Sequence, residues 1–319
     1  MKGTIDVLVK NNRVQYKFSL NRNLTILRGD SATGKTSLIE MIEAYENDRE
    51  NSGIILLCDK NCTVISGRRW KENLGNTKDS IVFIDEGNDF LSSKEFADAA
   101  KNSDNYYVIA TREPLPNLPY SVDEIYGITN TTRKKYNKIT RLYSQFERIY
   151  SHNDPVITPD LVIVEDSNAG YQFFSELFRE RKVPCVSAGG KSNIFRKLAE
   201  TAADQKVLII ADGAAFGPEI ERVMRFQLFG NVVLFLPESF EWLVLKSGLV
   251  EGAHQVLDAP SEYIESEQYF SWERFFNAFL TEKTRDSYLA YSKKVLNENY
   301  LQKKEKAAIT ETLPEKLRR

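Results

Sequence analysis

A glycine-rich stretch near the N-terminus carries the residues most able to do chemistry. Residues 29–36 read GDSATGKT, the pattern G-x-x-x-x-G-K-T, and we refer to them as the glycine loop. A strand-like run, LTILR, precedes the loop, and a helix-like run, SLIEMIEAYEN, follows it. Backbone N–H groups of such a loop can surround a phosphate group at the N-terminus of a helix. The pattern therefore predicts a phosphate site, whereas the alternative is a turn that only joins a strand to a helix.

Each position of the glycine loop has an expected role. Lys35 would reach the β- and γ-phosphates of a nucleotide and act in catalysis, and the Thr36 hydroxyl would bind Mg²⁺. Gly29 and Gly34 allow the backbone to curve around the phosphates. The residues expected to line the site are Gly29, Asp30, Ser31, Ala32, Thr33, Gly34, Lys35, Thr36 and Ser37.

Two carboxylates follow a second hydrophobic run, SIVFIDE at residues 80–86. Consecutive apolar residues are typical of a strand buried on both faces, so this run predicts a strand that ends at Asp85. Asp85 would complete the Mg²⁺ site, and Glu86 would orient the water that attacks the terminal phosphate. The alternative is a strand that ends in a solvated acidic turn. A later run, YYVIAT, ends at Thr111 and Arg112, which would sense the γ-phosphate unless they are only a polar strand end.

The glutamate directly after the aspartate makes residues 1–130 resemble the P-loop ATPases that use a catalytic glutamate, a group that includes the ABC and AAA+ proteins. Strand-like runs at residues 5–9 and 14–18 are similar to the antiparallel strands of the ABC type, although the sequence has no LSGGQ-like signature. The resemblance implies ATP as the ligand, Mg²⁺ as its cofactor and hydrolysis as the reaction, with GTP as an open alternative. It also implies an oligomer, because such ATPases often complete their site across a subunit interface.

A basic and aromatic segment, residues 133–148, leads from the first half of the chain to the second. Cations interleaved with aromatic side chains suit binding to DNA or RNA. The interpretation that we favour is a solvated segment whose aromatic residues pack on the ATPase domain. The run SHNDPVITPD that follows indicates a linker, because it contains Pro155 and Pro159. The basic residues of the segment are Arg133, Lys134, Lys135, Lys138, Arg141 and Arg148.

The second half alternates strand-like and helix-like runs, beginning with LVIVE at Leu161. Such alternation predicts βαβ units and a largely parallel sheet. The carboxyl ends of parallel strands meet in one crevice, where function gathers. Three of these predicted ends are polar: Glu165–Asp166, Gly189–Gly190–Lys191 and Asp212–Gly213. The sequence therefore places Glu165 near Asp212.

This order of strand ends resembles the Toprim domain of topoisomerases, primases and OLD-family nucleases, over residues 156–250. The resemblance implies a catalytic Mg²⁺ site formed by Glu165 and Asp212, in which Glu165 also does acid–base work. Ala214 stands where the family has a second aspartate, and Asp166 replaces the usual glycine.

These two departures leave three interpretations of the second half. In the first, Asp166, Glu219 or Glu238 restores a metal ligand, and the domain acts on nucleic acid with Mg²⁺. In the second, the site is degenerate, and the chain is an ATP-driven switch or scaffold whose second domain binds a protein partner. The third is a plain α/β domain with acidic strand ends.

Composition excludes several classes of protein. The chain has 43 basic and 45 acidic residues, so its net charge gives no general attraction to nucleic acid. No apolar run reaches the roughly 18 residues needed to cross a bilayer, and the N-terminus lacks a leader pattern. We therefore expect a cytoplasmic protein without a membrane partner. With 3 cysteines and 2 histidines, carboxylates and lysines must carry the chemistry.

The predicted architecture is α/β throughout. We expect a P-loop ATPase sheet domain at residues 1–152, a Toprim-like parallel α/β domain at residues 153–252 and a helical C-terminal extension at residues 253–319. The extension has aromatic residues and leucines at helical spacing, which indicates core packing or a surface for a protein partner. Its last residues, from Gln302 onward, are typical of a solvated tail.

Overall fold

The computed structural model describes residues 1–29, 33–135, 139–150, 158–202, 204–229 and 231–318. The chain forms two compact units. The first contains Met1–Ser151 and Ser261–Phe270, and the second contains His152–Pro260 and Ser271–Arg319. A nine-stranded mixed sheet lies in the first unit and a four-stranded parallel sheet in the second. The predicted α/β class is therefore confirmed.

The first unit begins with three strands, and its α-helices lie between later strands of the chain. Its strands are β1 (Ile5–Lys10), β2 (Val14–Leu20), β3 (Leu24–Leu27), β4 (Ile55–Leu57), β5 (Asn61–Val64), β6 (Ser80–Ile84), β7 (Tyr106–Ala110), β8 (Ile125–Lys135) and β9 (Ile139–Arg148). Its α-helices are α1 (Lys35–Asp48), α2 (Trp70–Asn76) and α3 (Lys94–Lys101). The strands predicted at both hydrophobic runs and the helix predicted after the glycine loop are all present.

The sheet of the first unit has the strand order β4-β1-β2-β9-β8-β3-β7-β6-β5. All pairs from β8 to β5 are parallel, whereas β1 pairs antiparallel with β2 and β4. Every residue of β3, β6 and β7 is buried, as expected for apolar strands covered on both faces. Because β7 lies between β3 and β6, it separates the glycine loop from the acidic strand end.

The described part of the basic segment lies in β8 and β9. β8 and β9 pair antiparallel from Tyr126 opposite Arg148 to Lys135 opposite Ile139. Phe146 of β9 stacks on Phe18 of β2, with ring centroids 4.0 Å apart. The predicted packing of an aromatic residue from this segment on the first domain is therefore present at Phe146.

The segment Ser261–Phe270 belongs to the first unit although it lies late in the chain. The Gly3 N–H donates to the Ser261 carbonyl at 2.7 Å, and the Ser266 N–H donates to the Met1 carbonyl at 2.9 Å. The Asn23 side chain donates to the Ser266 carbonyl at 3.2 Å. The segment lies within residues 253–319, which the sequence predicts as a C-terminal extension, because no local pattern reveals hydrogen bonds to the opposite end of the chain.

The second unit is a parallel sheet covered by helices. Its strands are β10 (Leu161–Val164), β11 (Cys185–Ser187), β12 (Val207–Ile210) and β13 (Val232–Phe235), in the order β11-β10-β12-β13. All neighbouring pairs are parallel, which confirms the predicted parallel sheet. Its α-helices are α4 (Ala169–Glu180), α5 (Ile194–Ala199), α6 (Gly217–Phe229), α7 (Phe240–Lys246), α8 (His254–Asp258), α9 (Trp272–Thr284), α10 (Lys303–Thr310) and α11 (Glu315–Arg318).

The end of the chain packs into the second unit. Ile309, Leu313 and Leu317 are 0%, 1% and 1% exposed, and the Arg181 guanidinium donates to the Leu317 carbonyl at 2.6 Å. The prediction of a solvated tail is therefore wrong for residues 303–318. Ile309 lies in α10, Leu313 in the turn that follows and Leu317 in α11. No single helix carries all three, and the surrounding charged residues obscure them in the sequence.

Among the helices that the structure describes, none is long and apolar enough to cross a membrane. Cys58, Cys62 and Cys185 are free thiols, and Cys62 is buried.

Candidate functional site

The glycine loop joins β3 to α1. Gly29 and Gly34 have positive φ angles of 134° and 100°. A Cβ atom at Gly34 would lie 2.8 Å from the Tyr16 hydroxyl, which donates a hydrogen bond to the Gly34 carbonyl. Both the backbone conformation and the space therefore require glycine at position 34. Three predicted loop residues lie outside the described part of the chain: Asp30, Ser31 and Ala32.

Lys35 is the first residue of α1, and it is only 4% exposed. Its ammonium group donates to the Gly29 carbonyl at 2.7 Å and to the Thr33 hydroxyl at 3.3 Å. A phosphate oxygen would be a stronger acceptor for this ammonium group than a carbonyl or a hydroxyl oxygen, because it carries charge. Thr36 and Ser37 follow on the exposed side of the helix.

The predicted acidic and sensing residues leave the sheet on the same edge as the glycine loop. β7 pairs in parallel with β3 on one side and with β6 on the other. Neighbouring strands lie about 4.8 Å apart, so the ends of β3 and β6 are roughly 10 Å apart. Asp85 and Glu86 follow β6, and Thr111 and Arg112 follow β7. The strand order thus brings these residues to the loop.

Glu86 and Arg112 form a bidentate ion pair. Arg112 Nε donates to Glu86 Oε2 at 3.0 Å, and Arg112 Nη2 donates to Glu86 Oε1 at 2.8 Å. The Arg112 side chain is 55% exposed and the Glu86 side chain 30% exposed. Exposed ion pairs typically contribute about 1 kcal/mol or less to stability, and bidentate geometry strengthens them. Both carboxylate oxygens of Glu86 are therefore engaged in a contact that a stronger anion can replace.

Asp85 and Thr111 are held by local hydrogen bonds. Asp85 is half-buried, and its Oδ1 accepts a hydrogen bond from the Glu86 N–H at 2.8 Å. The Thr111 hydroxyl donates to the Glu113 carbonyl at 2.9 Å. Thr111 is thus part of a turn, whereas Arg112 contacts the acidic pair directly.

In the second unit, Glu165 and Asp212 meet at the ends of β10 and β12. The Asp212 N–H donates to Glu165 Oε2 at 3.0 Å. Asp166, the next residue after Glu165, accepts a hydrogen bond on Oδ1 from the Tyr171 N–H of α4 at 3.1 Å. The parallel strand order predicts this proximity, since adjacent parallel strands end on one edge.

Two further carboxylates, which the sequence analysis missed, extend this site. Burial raises the pKa of Asp212 well above its ordinary value, and the charges of Glu273, Glu165 and Glu241 raise it further. Glu241 comes from α7 and accepts a hydrogen bond from the Tyr291 hydroxyl at 2.8 Å. Glu273 comes from α9, and neither residue belongs to a motif that the sequence could reveal. We refer to Glu165, Asp166, Asp212, Glu241 and Glu273 as the acidic cluster.

Burial also raises the pKa of Glu165 to about 7. The hydrogen bond from the Asp212 N–H opposes this shift, as does the charge of Lys191, while the charges of Glu273 and Asp166 increase it. Burial likewise raises the pKa of Asp166. The crevice therefore favours protonated carboxyls over carboxylates.

Lys293 places a positive charge within the acidic cluster. Its ammonium group pairs with the Glu273 carboxylate. Burial alone would lower the pKa of Lys293, but the charges of Glu273, Glu241 and Asp212 raise it above the ordinary value. Lys293 is therefore a firmly protonated partner of these carboxylates.

The acidic cluster does not fit a divalent cation in this arrangement. Ala214, at the position of the expected second aspartate, is 2% exposed. Of the carboxylates expected to replace it, Asp166 is bound by a backbone N–H, and Glu219 lies 3.6 Å from Arg222. Within the described ranges, no group of three or more histidine, cysteine, aspartate or glutamate side chains is placed to hold a metal ion.

The crevice is also narrow. A cavity of about 20 Å³ lies between Glu165, Asp212 and the rings of Phe174 and Phe240. Such a volume holds about one water molecule, so a nucleotide does not fit between these side chains as they stand.

The basic segment is only partly described. The side chains of residues 133–141 lie outside the described residues, so five of the six predicted cations have no description. Arg148 is described, and its guanidinium lies 3.7 Å from the Asp123 carboxylate. Its charge is therefore partly neutralised within the first unit.

No family model, no curated protein and no solved structure matches this chain.

The substitution Glu165→Gln tests the raised pKa of the Glu165 carboxyl. The pKa rises on folding from 4.5 to about 7, so ionisation destabilises the fold progressively as the pH increases through that interval. Glutamine cannot ionise and avoids this penalty. Relative to wild type, the free energy of unfolding of the variant should increase by about 1–3 kcal/mol between pH 4.5 and pH 8.

Urea unfolding at several pH values measures this difference. Glu251→Gln, which replaces an exposed carboxylate of the same unit, is the matched control and should show no such trend. A difference between Glu165→Gln and wild type that is constant across this pH range would contradict the assigned pKa.

Proposed function

We propose that the first unit binds ATP together with Mg²⁺ and hydrolyses it. The observation that carries this proposal is the strand order β3-β7-β6, in which the glycine loop and the strand end at Asp85 and Glu86 leave the same edge of the sheet with only β7 between them. A buried lysine inside the loop and two carboxylates on the same sheet edge are the groups that phosphoryl transfer requires. The resemblance to P-loop ATPases supports the same assignment.

Each residue has a distinct part in this proposal. The backbone N–H groups of the loop and the Lys35 ammonium group would bind the β- and γ-phosphates. Thr36 and Asp85 offer hydroxyl and carboxylate oxygens, which are the ligands that Mg²⁺ prefers, and they would hold the ion that arrives with the nucleotide. Mg²⁺ would neutralise charge on the phosphates. Glu86 would orient the attacking water.

The Glu86–Arg112 ion pair links nucleotide binding to this last role. While Arg112 engages both carboxylate oxygens, Glu86 cannot accept a hydrogen bond from water along the same directions. The γ-phosphate is the stronger anion and would compete for Arg112. This exchange would release Glu86 only when a γ-phosphate is present, because ADP lacks the competing group.

Lys35→Ala and Glu86→Gln should separate binding from hydrolysis. Lys35→Ala should abolish both, because it removes the charge that holds the phosphates. Glu86→Gln should retain ATP binding but lower kcat roughly 10²- to 10³-fold, because glutamine is a poor base for the attacking water. Release of phosphate and equilibrium binding of a fluorescent ATP analogue measure the two effects.

The control for this pair is Glu113→Gln, which changes an exposed carboxylate next to Arg112 and should leave turnover within about twofold of wild type. Unchanged turnover in Glu86→Gln would refute the role of Glu86. A wild type that hydrolyses no ATP would refute the proposed function.

For the second unit, we propose the role of a partner-binding element in an ATP-driven switch. The buried Ala214 and the pairing of Lys293 with the acidic cluster favour this role over cleavage of nucleic acid. A second candidate is a Toprim-like nuclease that uses Mg²⁺ at Glu165 and Asp212. The contact between these two residues supports it.

A cleavage assay distinguishes the two candidates. Wild type, incubated with ATP, Mg²⁺ or Mn²⁺ and either plasmid or single-stranded DNA or RNA, should leave each substrate intact. Cleavage by wild type that Asp212→Ala abolishes, and that the exposed-residue control Asp258→Ala retains, would instead establish the nuclease.

A further inference from the structure

Lys293 lies on a short segment that is hydrogen-bonded to α4. The Ala169 N–H, at the start of α4, donates to the Lys293 carbonyl at 2.9 Å. The Gln172 side chain donates to the Lys294 carbonyl at 3.1 Å and accepts from the Leu296 N–H at 3.0 Å. Three hydrogen bonds to one helix thus determine where the Lys293 backbone lies.

The side chain of Lys293 continues from this anchor into the cluster. It is 32% exposed, and its partner Glu273 is 23% exposed. Its positive charge opposes the rise in the pKa of Asp166, Asp212 and Glu241, and the Glu273 carboxylate raises the pKa of Lys293 in turn. Carboxylates from α7, α9 and the ends of β10 and β12 therefore share this one ammonium group.

A group of largely buried carboxylates needs a compensating positive charge or must take up protons. Lys191 supplies a second charge near Glu165, but its ammonium group donates to the Ala215 carbonyl at 3.0 Å. The Lys293 ammonium group, by contrast, forms an ion pair with Glu273, a member of the acidic cluster. A side chain of the protein thus supplies positive charge to the acidic cluster.

We propose that Lys293 is the resident cation of the acidic cluster and stands in place of a divalent metal ion. The ammonium group holds α9 and α7 to the ends of β10 and β12, and the cluster accepts a divalent cation only when this group is removed. The inference rests on the non-nuclease role proposed for the second unit. It is independent of ATP binding by the first unit.

The test compares Lys293→Met with Lys294→Met, using Mn²⁺ as the probe in the absence of nucleotide. Methionine is one heavy atom shorter than lysine and uncharged, so it removes the charge while keeping most of the side chain, and Lys294 is the exposed neighbour. Lys293→Met should gain one Mn²⁺ site per chain, bound at least about tenfold more tightly than by wild type. Mn²⁺ should also raise its Tm. Lys294→Met should match wild type in both measurements.

The electron paramagnetic resonance signal of free Mn²⁺ measures the affinity, and adding Glu165→Gln to Lys293→Met should abolish the new site. If Lys293→Met alone does not fold, the double variant Lys293→Met/Asp212→Asn should fold, because it removes a carboxylate together with the ammonium group. Failure of that rescue would overturn the proposal.

A wild type that binds one Mn²⁺ per chain, with binding lost in Glu165→Gln, would also overturn it. If the same wild type cleaves no DNA or RNA, its binding of Mn²⁺ refutes only the proposal that Lys293 is the resident cation. The non-nuclease role of the second unit is then unaffected. Cleavage by wild type refutes the non-nuclease role directly, so the two failures are distinguishable.

Discussion

A strand covered on both faces cannot carry a charge until it ends, and this constraint determines where chemistry occurs in both units. All residues of β3, β6 and β7 in the first unit and of β12 in the second are buried. An ionised group within them would lose its hydration without compensation. The charged residues therefore appear where these strands stop, and the parallel order collects them on one edge of each sheet.

The two edges differ in how their charges are compensated. In the first unit, the Glu86–Arg112 pair is partly exposed, and Lys35 is held by neutral oxygens of its own loop. Such contacts exchange readily with an incoming phosphate. In the second unit, burial raises the pKa values of Glu165, Asp166 and Asp212. Charges in that environment are costly to leave unpaired. We therefore expect the Lys293 ammonium group to stay with the acidic cluster rather than to exchange for another cation.

Structural features that are determined by residues close together in the chain could be predicted from the sequence. Apolar runs gave the buried strands, the G-x-x-x-x-G-K-T spacing gave a loop that has positive φ at both glycines, and strand–helix alternation gave the parallel sheet of the second unit. The contact of Glu165 with Asp212 followed from that sheet, because adjacent parallel strands end together.

Contacts between residues that are far apart in the chain could not be predicted in this way. Glu241, Glu273 and Lys293 join the acidic cluster from helices and a loop that follow the sheet, and no spacing relates them to Glu165. Residues 261–270 return to the first unit through backbone hydrogen bonds, which any sequence can make. The last two helices, α10 and α11, lie in the stretch predicted as a solvated tail, because its three buried apolar residues are surrounded by many charged ones.

We propose that the first unit distinguishes nucleotides by their γ-phosphate, through the exchange of Arg112 away from Glu86. The most direct measurement is the ratio of ATP to ADP affinity, with Mg²⁺, for wild type and Arg112→Ala. We expect wild type to bind ATP at least about tenfold more tightly than ADP. Arg112→Ala should lose this preference while its affinity for ADP stays unchanged. An ATP preference that survives the loss of Arg112 would contradict the account.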